Sequence, residues 1–269
     1  MKKIIITFLI LSFNLMFSQN YFEGKNLYCK SDNPRAMELF NTGIETLYLN
    51  KTLDKKYLKM TADVFFRAYQ TDTTFCDAIF FAGYTKRLLN DKYALTCYYY
   101  ADSLANNKSI EFKTNLAAEA LRFGNEASFK IARRKYNELI EYFPESPEGY
   151  YGFAITSPIF EDTDKGLENI NIAIEKYKKI NTELKDDVIF MKGVLLSFNK
   201  KYIEGLECLE KSYSSYKKEE NFKIHYSLCL LKVSEINNDE KMKKKALKNY
   251  EKIENKEQIP NELKILLNF

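Results

Sequence analysis

The sequence predicts an all-α chain of stacked antiparallel helix pairs. Three observations carry that expectation. Its 269 residues include 9 Gly and 5 Pro, too few for the many tight turns of a sandwich or barrel. A small–large–apolar triplet at i, i+4 and i+7, which lies on one face of a helix, recurs along the chain. The hydrophobic fraction of 45% and charged fraction of 29% supply both a core and solvated helix faces, which argues against wholesale disorder.

The chain opens on MKKIIITFLILSFNLMFSQ, residues 1–19. Lys2 and Lys3 form a positive start, Ile4 to Phe17 an apolar run, and Ser18 a small residue before a polar stretch, which is the layout of a cleaved export signal. The run is shorter than the roughly 20 residues of a membrane span, so no integral span is expected after cleavage; a retained anchor is the alternative. The ending Phe17-Ser18-Gln19 is similar to export signals common in the Bacteroidetes. No Cys directly follows the run to carry a lipid, and Cys29 follows Leu27-Tyr28 rather than a small residue. The expected address is periplasm or medium, with outer-membrane association a further option. Residues 20–33 read as an N-terminal extension.

Residues 34–255 carry the repeat. Its clearest copy is Ala132/Tyr136/Leu139, closed by Pro144. The others are Ala62/Phe66/Tyr69, Thr96/Tyr100/Ser103, Gly166/Ile170/Ala173, and the looser Gly205/Leu209/Ser212 and Ala246/Tyr250/Ile253. Small residues about 12 positions upstream (Gly83, Ala120, Ala154, Gly193) mark partner helices that approach closely. The first copy shows no such helix in frame. Asn33-Pro34 and Ser146-Pro147 each supply an N-cap and a first-turn Pro. Asn90-Asp91, Asp162-Thr163-Asp164 and Asn237-Asn238-Asp239 read as turns. Residues 256–269 read as a capping helix from Pro260, with Leu263, Ile265, Leu266 and Phe269 apolar. An irregular helical bundle is the alternative to a regular array.

With these residues in view, the chain resembles the tetratricopeptide repeat family, whose units of about 34 residues keep small residues at positions 8 and 20 and large ones at 4, 11 and 24. Counted from Lys113, the third unit supplies Leu116, Ala120, Phe123, Ala132, Tyr136 and Pro144. The resemblance implies a right-handed α-solenoid whose first helices line a concave groove through positions 2, 5, 9, 12 and 13. Position 5 falls on Phe81, Ala117, Tyr151 and Phe190, and position 9 on Thr85, Leu121, Ile155 and Val194. The implied groove is apolar, with Phe81, Leu121, Tyr151, Ile155, Phe190 and Val194 as its candidate contacts, and suits a protein or peptide segment or the chain's own terminus. It lacks the Lys and Asn set with which some family members clamp a terminal carboxylate. Ala132–Pro147 is also similar to repeats of the outer-membrane assembly lipoproteins, although the lipid-carrying Cys is missing.

Charge and motifs exclude several classes. The formal net charge of +4 becomes +2 without Lys2 and Lys3, which does not point to nucleic acid. There is no Gly-rich phosphate loop and no nucleophile elbow. His225 is the sole histidine, so no zinc site of usual composition is visible. Asp186-Asp187 and Glu219-Glu220 read as helix-end acids. Of the five cysteines, Cys76, Cys97, Cys208 and Cys229 fall in apolar helical stretches and read as small core residues, with Cys76–Cys97 and Cys208–Cys229 bridges as options; Cys29 lies outside the repeat. The lysines of 241–252 read as a solvated face, with an anionic partner as the alternative. The resulting expectation is a non-catalytic scaffold for a protein or peptide, without cofactor. Its alternatives are a part in outer-membrane protein assembly or an envelope complex, and a helical enzyme of unrecognised type.

Overall fold

The computed structural model describes residues 27–49, 54–180 and 183–267, and among these every regular element is helical. The expected signal segment 1–19 and Phe269 lie outside the described residues. The helices are α1 (Pro34–Leu49), α2 (Lys55–Thr71), α3 (Cys76–Leu88), α4 (Ala94–Leu104), α5 (Ile110–Phe123), α6 (Glu126–Tyr142), α7 (Pro147–Phe160), α8 (Thr163–Lys179), α9 (Asp186–Phe198), α10 (Tyr202–Lys211), α11 (Tyr213–Tyr216), α12 (Glu220–Asn237), α13 (Glu240–Tyr250) and α14 (Asn261–Leu266), with a 3-10 turn at Lys256–Gln258. They divide into two compact units at Phe123/Gly124.

Local chemistry sets several helix ends. The Asn33 side chain accepts from the Arg35 and Ala36 amides, and Ser146 accepts from the Glu148 amide with Pro147 behind it. Asn125 and Ser128 form a reciprocal capping box on α6, which satisfies amides the helix itself leaves open. Asn90 and Asn238 end helices in the left-handed region, at φ 56° and 52°, where Asn is better tolerated than most residues. Pro158 lies inside α7 and cannot bond the Ala154 carbonyl. The Ser157 hydroxyl donates to that carbonyl instead, at 2.8 Å.

In the N-terminal unit, consecutive helices pack from α1 to α5. Phe40 lies against Phe65, Phe75 and Phe81, with centroids 4.9–5.5 Å apart, and Phe80 stacks on Phe112 at 4.3 Å. The partner helix missing from the first repeat is α1: a Cβ on Gly43 would lie 2.5 Å from the Phe65 ring. Two triplets are out of phase with the core. In α2, Thr61, Ala62, Phe65 and Ala68 are buried while Phe66 is exposed. In α4, Thr96, Tyr100 and Ser103 face solvent, and Ala94, Tyr98 and Ala101 take the inner positions. Gly83 of α3 decides this, because its backbone approaches Cys97, Tyr98 and Ala94 too closely for any larger residue. Adjacent aromatics, Phe65-Phe66 and Tyr98-Tyr99-Tyr100, offer the helix several candidate faces, and only the facing helix selects one.

In the C-terminal unit, α6 packs on α7, α7 on α8, α8 on α9, α9 on α10, and α12 on α13. Here the Ala132, Gly166, Gly205 and Ala246 triplets have the expected phase: all their members are buried except Tyr250, which is half-buried. Gly152 lets the Tyr136 ring lie flat on α7; a Cβ there would fall 1.9 Å from the ring. At the end of the unit, Ile253, Ile259, Leu263 and Leu267 pack on Ile224 and Leu228 of α12. Ile265, expected in that cap, is 76% exposed.

The cysteines differ from both expected pairings. Cys76 is bridged to Cys29, while Cys97, Cys208 and Cys229 are free thiols. The bridge ties residues ahead of α1 to the start of α3. The Cys29 amide also donates to Asp77 at 2.7 Å, and Ser31 to Asp72. Spacing within helices could not reveal this pairing, because Cys29 belongs to no repeat.

Candidate partner-binding site

The six side chains expected to line an open groove are core residues. Phe81, Leu121, Tyr151, Ile155, Phe190 and Val194 are 2–5% exposed. Phe81 packs in the aromatic cluster of the N-terminal unit, at 5.4 Å from Phe65. Phe190 stacks on Tyr216 of α11 at 4.5 Å and approaches Phe222 of α12 at 5.9 Å. The reason is steric: rings of earlier helices cover Phe81 and rings of later helices cover Phe190. Of the six, Tyr151 has its polar end in a cluster with ligand-like chemistry.

That cluster is built within the C-terminal unit from α6, α7, α8 and α9. Ser146 and Pro147 start α7 so that Glu148 falls in its first turn and Tyr151 one turn later. The Tyr151 hydroxyl donates to Asp187 Oδ2 at 2.9 Å. The Tyr177 hydroxyl, from α8, donates to Glu148 Oε1 at 3.1 Å. Asp187 Oδ1 accepts from the Val188 amide at 2.9 Å. Glu148 and Asp187 are half-buried as residues. Among the described residues, neither is a member of an ion pair.

Burial pushes the Glu148 carboxyl up to about 7, and Asp187 acts in the same direction. The Tyr177 hydrogen bond and the Lys185 ammonium pull it down by less. A carboxyl is held this high when desolvation outweighs its partners. Burial and neighbouring acids raise Tyr151 and Tyr177 well above the ordinary phenol value, so both stay neutral donors. Tyr136, 1% exposed, has a hydroxyl with no hydrogen-bond partner. Its ring lies on Gly152, one turn beyond Glu148, and its hydroxyl is within electrostatic reach of Glu148. A buried hydroxyl left without a partner costs stability.

Three of these residues, Glu148, Tyr177 and Asp187, were not singled out from the sequence as binding residues; Asp187 reads there as a helix-end acid. A signal existed: Glu148 and Asp187 hold position 2 of the fourth and fifth repeats, beside Tyr151 and Phe190 at position 5. Asp186 accepts from the Ser215 hydroxyl. His225 is a core residue: its Nδ1 lies 2.5 Å from Ser197 Oγ, and burial lowers its imidazole to about 3, leaving it neutral. The lysines of α13 mostly face solvent, and Lys245 lies 3.4 Å from Glu210.

No protein-family profile matches the chain, and no curated protein matches it. Solved structures do. The Cut9–Hcn1 hetero-tetramer of the APC/C superposes with TM-score 0.58 at 14% identity over 87% of this chain and 42% of that one. The chain therefore spans less than half of that protein. MamA (41-end) from Desulfovibrio magneticus RS-1 gives 0.56 at 13% identity, covering 70% of this chain and 99% of that one. YrrB, described as a TPR protein with an unusual peptide-binding site, gives 0.50 at 13% identity over 76% and 97%. Identities this low speak to architecture alone. The chain folds as all-α, tetratricopeptide-like helical repeats.

Proposed function

We propose that this chain is an exported, non-catalytic scaffold that holds a protein or peptide segment at the Glu148–Tyr151–Asp187 edge of its C-terminal unit. The carrying observation is the pair of acids on successive first helices, both half-buried as residues, each held by a tyrosine hydroxyl and neither a member of an ion pair among the described residues. Helical-repeat folds present such edges as binding surfaces. One structural neighbour, YrrB, has a peptide-binding site. Export is supported by the 1–19 segment and by the Cys29–Cys76 bridge, since disulfides persist in oxidising compartments. Among the described residues, no helix is long and apolar enough to cross a membrane. Catalysis has no support in the site, where tyrosines and acids bond one another and no nucleophile–base pair is exposed.

The test is site-specific photo-crosslinking in cells, with the crosslinking residue at Asp187 or at exposed Lys165 on α8. A polypeptide adduct formed from position 187 and not from 165 is expected. Equal labelling from both positions, or none, would remove the edge from consideration. Export is tested by fusing residues 1–19 to a reporter that is active only outside the cytoplasm.

A further inference from the structure

We propose that the Glu148–Asp187 edge takes the cationic head of a lysine or arginine side chain from a bound peptide, with the Tyr136 hydroxyl as an additional acceptor. The inference rests on the scaffold reading above and specifies its ligand. Three observations carry it. Glu148 gives one oxygen to Tyr177, and no contact engages Oε2; Asp187 is held by Tyr151 and its own helix start. Two acids outside any ion pair among the described residues produce a negative field that Lys185 offsets only in part, and an incoming ammonium or guanidinium replaces lost hydration with charge-assisted hydrogen bonds. The second observation is the buried Tyr136 hydroxyl, which has no hydrogen-bond partner among the described residues. Third, Tyr151 and Tyr177 turn neutral hydroxyls toward the acids, so their hydrogen bonds bring no positive charge to the edge. An anionic ligand such as a chain-terminal carboxylate meets charge of its own sign and is repelled.

The groups facing Glu148 set the pH response. They are Tyr136 from α6, Tyr177 from α8, Asp187 from α9 and Lys185 ahead of α9. Lys176 of α8 is engaged by Glu145 at 3.5 Å. Tyrosines so strongly raised do not titrate near neutrality, so Glu148 is the switching group. Binding a cation needs its ionised form, and affinity therefore rises as pH increases through about 7. Lys185 is a competing cation within the chain. Removing its charge strengthens binding of a basic peptide.

The experiment is selection of a random nine-residue phage-displayed library on the purified wild-type chain at pH 8, with Glu148→Gln/Asp187→Asn as counter-selection. Circular dichroism checks that the variants fold. The leading peptide is then made with its shared basic residue as Lys, Arg, Gln or Glu, and titrated. Expected are a Lys or Arg at a shared position and at least tenfold weaker binding of the Gln form. The Glu form should bind more weakly still. A several-fold loss is expected at pH 6 or with Tyr136→Phe, and a gain with Lys185→Met. Peptides enriched without a basic residue, or equal affinity of the Lys and Gln forms, overturn the cation assignment and leave the scaffold reading standing. No enrichment over the counter-selected variant overturns both.

Discussion

The two compact units bury charge in opposite ways. In the N-terminal unit the Lys113 ammonium, fully buried, lies 3.1 Å from Asp102, and buried Glu119 is met by Arg122 at 2.5 Å and approached by Arg87 at 3.9 Å. Both of these acids are answered by a cation from the same or a neighbouring helix. In the C-terminal unit Glu148 and Asp187 are answered by neutral tyrosine hydroxyls. Burying an ion is tolerable when its counter-charge is buried with it; an acid held only by neutral donors stays poised to accept a cation or a proton. The same repeat architecture therefore uses polar residues as internal ties in one unit and as an unfinished site in the other.

Breaking the first kind of tie should have the largest effect. Lys113→Met leaves Asp102 buried without its cation and should cost about 3–5 kcal/mol in denaturant unfolding. Adding Asp102→Leu should restore most of it. A loss below about 1 kcal/mol would mean that the N-terminal unit does not depend on its internal pair, and the contrast would fail.

Next is Gly152→Ala. The added methyl meets the Tyr136 ring, and overpacking of this kind costs about 1–3 kcal/mol. Near-ultraviolet circular dichroism should register the displaced tyrosine. An unchanged melting curve would show that α6 and α7 do not approach as closely as described.

Glu148→Gln sharpens the comparison through pH. The folded-state value of about 7 lies above the ordinary 4.5. This group's contribution is most favourable below about 4.5 and is lost as pH rises through 7. The wild type should therefore lose on the order of 2 kcal/mol through this group between pH 4.5 and 8, discounted for part exposure. The Gln variant should lose little, so its advantage appears at pH 8 and fades at pH 5. His225 runs the other way: held neutral, it contributes above about 6.5, and that contribution is lost as pH falls toward 3. An unchanged pH profile in Glu148→Gln would contradict a desolvated carboxyl at this position.

The smallest effect belongs to Tyr177→Phe, which removes one hydrogen bond to Glu148 and should cost about 1 kcal/mol at pH 8, where the carboxylate is charged. At pH 5 the cost should shrink. Equal losses at both pH values would assign Tyr177 a packing role only.

Much of the fold was legible because helix ends and helix faces are local properties. Asn33-Pro34, Ser146-Pro147 and Asn238-Asp239 cap or end helices wherever they occur, and the Ala132, Gly166 and Gly205 triplets face inward as their spacing requires. The spacing misled where aromatics were adjacent: Tyr98, Tyr99 and Tyr100 are equally acceptable to an isolated helix. The site was half legible. Tyr151 was named as a groove contact, yet its ring is core, and its hydroxyl reaches Asp187, an acid that by local criteria belongs to a helix end.

The sequence by itself determined that this chain is helical, where several of its helices begin and stop, and which small residues allow helices to pair. Backbone capping and the 3.6-residue period act within one or two turns. Only the tertiary structure decided that Cys29 bridges to Cys76, that Tyr98 rather than Tyr100 turns inward, and that Glu148 and Asp187 share an edge without a paired cation. Each of those outcomes joins residues from different helices or loops, and the burial that raises Glu148 toward neutrality exists only once α6, α7, α8 and α9 have packed.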